Sequence, residues 1–208
     1  MDARVSRFSR PLLVLMVVLY LVSLGAFTYT NWQLDPSPRL QDAVFNGLIL
    51  SIPLVLFFGA LYLLGRAWYE RRVTGSVAPA IAKAIRWAPR AGAIMIIFFV
   101  SLFSLDVFGM GGTFLETLVG LLMHNLPTIA MIILLVFAWR RPLVGAIAFL
   151  LAGLFFLRFL VGGDNWGILL LFSGPLLLIS ALFYTDWRQL QPPHPASADA
   201  GAPPSPNA

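Results

Sequence analysis

No cysteine occurs among the 208 residues. Disulfides, thiolate metal sites and cysteine nucleophiles are therefore excluded together. Lysine is nearly absent, with Lys83 alone, and the histidines are His124 and His194 only. Little material remains for a metal cage or a phosphate-gripping lysine. The frames G-x-x-x-x-G-K-[ST], H-E-x-x-H, G-x-S-x-G and G-x-G-x-x-G are all missing. Nothing in the sequence sets a nucleophile beside a base, so neither an enzyme nor a cofactor is expected. Charge is sparse too, at 11% of residues against about 25% in a soluble domain. So little polar side chain cannot cover a water-facing globule of this size. The basic residues carry no interleaved aromatic stripe, which gives nucleic acid no recognisable surface.

What is present is apolar surface. Hydrophobic residues make up 59% of the chain, and the mean hydropathy is +0.85. Continuous apolar runs of roughly 18 residues or more recur, the length a helix needs to cross a ~30 Å hydrocarbon core. Barrel strands would alternate over about 10 residues, and these runs do not. The expected fold is an all-α, polytopic transmembrane bundle of six helices. They are placed at about 11–30, 43–65, 91–108, 116–139, 142–161 and 166–185. A basic start before an apolar run also opens secretory signals. Here the run continues to about Thr30 without an A-x-A site, so a retained first helix is expected.

Four regions follow: an N-terminal transmembrane hairpin (1–72), a basic connector (73–90), a four-helix unit (91–187) and a Pro/Ala-rich tail (188–208). In the connector, Val77, Ile81, Ala84, Ile85 and Ala88 recur at helical spacing, with Lys83, Arg86 and Arg90 on another face. That pattern reads either as an amphipathic helix on the membrane surface or as a solvated linker. The tail lacks apolar periodicity and is expected to be disordered.

Orientation follows from the basic residues. With the N-terminus inside, 12 of the 14 Lys and Arg lie on the inner side, leaving Arg39 and Arg158 outside. The positive-inside rule then puts both termini in the cytoplasm. The expected location is the cell (inner, cytoplasmic) membrane of a prokaryote.

Polar residues inside apolar spans cost roughly 2.5–3.5 kcal/mol each and need partners or a purpose. Asp106 lies 16 residues from Arg90, His124 lies 16 from Arg140, and Arg158 lies 17 from Arg141. At 1.5 Å per residue all three fall about 24–26 Å from the inner boundary. Asp106, His124, Asn125 and Arg158 thus form a candidate intramembrane polar cluster. It is a working site, or a structural one in which Arg158 pairs with Asp106 and His124 bonds to a backbone carbonyl or Asn125, or else Arg158 simply snorkels outward. Pro127 frees the carbonyl of Met123 beside it. Glu116 is a candidate outer-interface acid, suited to the positive end of its helix. Gly145, Ala148 and Ala152 share one side of the fifth helix and permit close packing.

Three stretches, Phe103-Ser-Leu-Asp-Val-Phe-Gly109, His124-Asn-Leu-Pro-Thr128 and Ala138-Trp-Arg140 with Gly145 following, carry a resemblance. Over about residues 85–187 the chain resembles a family of small bacterial and archaeal four-helix integral membrane proteins with a domain of unknown function. The resemblance implies a four-helix unit and lends no activity; the two N-terminal helices are additional to it. The expected role is a structural or accessory component of a membrane assembly. A small transporter using Asp106, His124 and Arg158 is the alternative. The expected partners are the lipid bilayer and a membrane protein or second copy, with no metal and no nucleic acid.

Overall fold

In a lipid setting a run of apolar residues offers its backbone no hydrogen-bond partner except itself, so each run closes into helix. The computed structural model describes residues 3–34, 39–109, 111–158, 167 and 169–190. Its regular elements, among the described residues, are all helical: α1 (Ala3–Leu34), α2 (Leu40–Thr74), α3 (Pro79–Leu102), α4 (Phe114–Arg140), α5 (Pro142–Arg158) and α6 (Gly174–Leu190). A 3-10 helix, Phe103–Gly109, extends α3, and a π turn, Leu169–Ser173, leads into α6. Five of these units are long and apolar enough to cross a membrane, and α5, with 17 residues, is apolar but shorter. The protein is a multi-pass membrane protein.

Two helix limits differ from the sequence reading, for one reason. Charge marks where the hydrocarbon ends, whereas a backbone helix ends where its hydrogen bonding is capped. α2 therefore passes through Arg66, Glu70, Arg71 and Arg72 and stops at Gly75. That glycine takes φ +74 and donates its N–H to the carbonyl of Arg71, the left-handed termination that glycine tolerates best. The connector expected as a separate element is likewise the first half of α3, which runs unbroken through Pro89 and Arg90. Its apolar stripe packs within the protein. Ile81 and Ile85 are buried with Ala67 of α2, and Val77 packs beside them.

At the other end of α3 the helix tightens. Ser101 Oγ donates to the carbonyl of Phe98 and Ser104 Oγ to that of Ser101, both three residues back. Such local bonding competes with the α ladder and accompanies the switch to a 3-10 turn. Gly111, with φ +60, then turns the chain into α4. Thr113 caps α4: its hydroxyl oxygen accepts from the Glu116 N–H, while Glu116 Oε2 accepts from the Thr113 N–H at 2.8 Å. Glu116 is thus a capping-box acid.

α6 lies at the centre of the bundle, packing on α5, α3 and α2. Helices α3, α4, α5 and α6 close a ring, α2 lies against its α3–α6 edge, and α1 packs on α2. The core joins Ile96 and Phe99, Met131 and Leu135, Phe149, and Ile179 and Phe183, drawn from all four ring helices. Gly145 permits a close contact between α4, α5 and α6, since a Cβ there would lie 2.8 Å from Ala138 and 2.9 Å from Phe183. Ser180 Oγ donates to the carbonyl of Ala146 at 2.6 Å, which fixes α6 against α5. None of the most apolar window of α1 is buried by the rest of the chain. The turn at Pro36 and Pro38, the loop Val161–Asn165, the start of the sixth helix near Trp166 and the tail from Gln191 lie outside the described residues.

Candidate functional site

The polar side chains gather in three places. The first is a cleft of about 640 Å³ between the α1–α2 hairpin and the end of α3. Thr30 and Asn31 come from the last turns of α1, Asn46 from the start of α2, and Asp106 from the 3-10 helix. Phe27, Phe45, Phe99, Phe103 and Phe172 share the remaining wall with aliphatic side chains. Three of those rings form a triangle: Phe99 to Phe103 is 5.3 Å between centroids, Phe99 to Phe172 is 5.5 Å and Phe103 to Phe172 is 5.6 Å. Phe156 stacks on Phe172 from behind at 5.4 Å.

The second is the outer surface of α4. His124 is exposed there, with Nδ1 3.0 Å from the carbonyl oxygen of Gly120. Asn125 donates to the carbonyl of Leu121 at 2.9 Å. Both polar groups of this pair are thus turned back on their own helix. Arg158 closes α5 and is exposed.

Among the described residues no ion pair or hydrogen bond joins Asp106, His124 and Arg158. The expected pairing of Arg158 with Asp106 is not formed. Equal depth along three helices placed these residues at one level, but they face different ways around their axes. Asp106 faces the cleft, whereas His124 and Arg158 are absent from its lining.

The third place holds the strongest electrostatics, at the basic end of the bundle, and it was not singled out from the sequence. Arg90 Nη1 lies 2.9 Å from Asp186 Oδ2, and the two residues are 9% and 1% exposed. Arg90 Nη2 donates to the Trp139 carbonyl at 3.2 Å, Nη1 also donates to the Arg86 carbonyl, and the guanidinium lies 5.9 Å from the centre of the Phe183 ring. Arg90 thereby ties α3 to α4 and α6. A second pair, Arg66 Nε to Glu70 Oε1 at 3.0 Å, sits on α2. The other oxygen of buried Glu70 accepts from the Ala78 N–H at 2.9 Å, which anchors the entry to α3. Trp87 and Trp139 meet edge to face at 6.3 Å at this end, and Arg72 stacks over Trp68. A signal was available: Glu70 and Asp186 are acids standing among boundary arginines, where an unpaired acid would be out of place.

A family model, described as a domain of unknown function (DUF7670), matches residues 79–193. The match covers more than half of the chain, and the chain belongs to this family. No curated protein and no solved structure matches it. The matched region opens on the first residue of α3 and takes in α4, α5 and α6. In this chain the matched region holds the α3–α6 ring with its Arg90–Asp186 pair, and the α1–α2 hairpin precedes it. The cleft is shared, with Asp106 and the ring triangle from the domain and Asn31 and Asn46 from the hairpin.

Proposed function

We propose that this protein is an accessory or structural component of an assembly in the cytoplasmic membrane, crossing it six times with both termini in the cytoplasm. The observation that carries this reading is His124. It lies near the middle of α4, exposed at the side of the bundle, among exposed Leu122, Met123 and Leu126. Its Nδ1 is engaged by the Gly120 carbonyl, and its Nε2 has no partner among the described residues. Pro127 adds a second polar point, because it has no N–H for the carbonyl of Met123. Polar groups at the side of a span are costly against lipid and favour a neighbouring helix that can bond them. The occupant that fits is a helix of a partner membrane protein presenting a hydroxyl or amide at the depth of His124.

A photo-crosslinking residue at Met123 tests this in native membranes, with one at Val18 on α1 as the control. Met123 should yield one discrete protein adduct that Val18 does not, and His124→Leu should reduce it. An adduct between two copies of this chain would make the assembly a homo-oligomer. Lipid adducts alone at both positions would sink the reading.

The six-span topology has its own check. The 12-to-2 distribution of basic residues supports a cytoplasmic Gly75 and an external Gly111. Reporter fusions after each should therefore read inside and outside respectively; a cytoplasmic signal at Gly111 reverses the scheme. Transport is the second reading, favoured by the cleft at Asp106. It would proceed without His124 and Arg158 in the cleft lining, and proteoliposome flux abolished by Asp106→Asn is its test.

A further inference from the structure

Among the described residues the cleft carries one charge without a counter-ion. Asp106 is exposed to it and forms no ion pair among the described residues, and no basic residue lines it. Arg39 lies in an adjoining small recess with Asn31 and Asn46, where Asp42 accompanies it. The side-chain amides of Asn31 and Asn46 have no hydrogen-bond partner among the described residues, so their carbonyl oxygens remain free to accept. The same cleft is lined by the triangle of Phe99, Phe103 and Phe172, whose ring centroids lie 5.3–5.6 Å apart. Ring faces attract cations and repel anions. A small metal ion suits such a wall poorly: it would surrender hydration to phenyl groups, and no cluster of three or more metal-ligating side chains exists among the described residues. A volume of about 640 Å³ falls in the range of small-molecule sites.

We infer that the cleft binds an organic ammonium ion bearing apolar substituents, with Asp106 as counter-ion, the Asn31 and Asn46 carbonyls as acceptors, and the phenylalanine triangle against its hydrocarbon. The ammonium group belongs either to a lipid headgroup entering from the bilayer or to a free amine. This goes beyond the accessory role, which rests on a different face of the bundle.

The test uses full-length protein in nanodiscs of phosphatidylglycerol, titrated by equilibrium dialysis with radiolabelled benzylammonium, whose N–H groups can meet these acceptors, and with its neutral isostere ethylbenzene. The cation should bind saturably, one per chain. Asp106→Asn should weaken binding by about tenfold or more, the scale of one lost charge-assisted contact. Asn46→Asp adds a carboxylate and should tighten binding, a gain that misfolding cannot produce. Loss of probe binding when phosphatidylethanolamine is included in the disc supports the site as a headgroup site. Undiminished binding supports it as a site for a free amine. Absence of saturable binding, equal uptake of the neutral isostere, or an affinity unmoved by both variants overturns the inference.

Discussion

Asp186→Ala is expected to destabilise the protein by about 3–5 kcal/mol, the scale of stranding one buried charge. The carboxylate is 1% exposed and lies 2.9 Å from Arg90 Nη1. Without it the guanidinium keeps its carbonyl contacts to Trp139 and Arg86 but loses its counter-charge in a place where water cannot replace it. Arg90→Ala should cost a similar amount, because it strands Asp186 and also cuts the link from α3 to α4. The pair itself is not a large net stabiliser, since desolvation of both ions offsets much of their attraction. Replacing both by apolar residues of similar volume, Arg90→Met with Asp186→Leu, should therefore recover most of the loss that either of these two replacements causes alone. Unfolding in detergent, read as a double-mutant cycle, separates the outcomes. Single losses that simply add would show that the two residues act independently.

The same pair shows where reading the sequence stops. Apolar run length was enough for an all-helical multi-pass chain, since hydrocarbon thickness and backbone hydrogen bonding leave no other element. The acid at the head of α4 was legible because the chemistry of a helix end is local. Helix ends were less so, for charges at 66–72 mark a membrane boundary and leave the hydrogen-bond ladder intact. Facing was least legible. Counting residues from the inner arginines gives depth alone, and Asp106, His124 and Arg158 agree in depth while pointing apart. Arg90 taught the complementary lesson. It was grouped with Lys83 and Arg86 by position, yet those two are exposed and Arg90 is buried. Its partner is 96 residues away, so the acid at 186 could be noticed in the sequence but not assigned to Arg90. The cleft was hidden for a similar reason, since its walls come from four separated segments.

Gly174→Ala is the second substitution with a large expected effect, for steric reasons. An added Cβ would lie 2.5 Å from the Phe57 ring of α2 and 2.6 Å from the carbonyl oxygen of Leu169. The second contact matters more, because a backbone oxygen in the π turn cannot swing aside as a side chain can. That turn precedes Pro175, which has no N–H to close an α turn on Leu171, so the local backbone has little alternative geometry. Overpacking of this kind costs about 1–3 kcal/mol. Gly59, on the same helix as Phe57, has nothing within 4 Å of its would-be Cβ. Gly59→Ala should instead be neutral or stabilising, by up to about 0.5–1 kcal/mol, as expected of a helical glycine with room for a methyl group. Adding Phe57→Leu to Gly174→Ala should return only the share due to the ring and leave the share due to Leu169. The substitution should also be felt in the cleft. Leu171 and Phe172 belong to the π turn and line it, so displacing the turn opens the phenylalanine triangle and should weaken ammonium binding while Asp106 stays in place. Melting in detergent and dialysis of the same variant provide the two readouts. A Gly174→Ala protein that matches the parent in both would mean that the π turn is not wedged against α2.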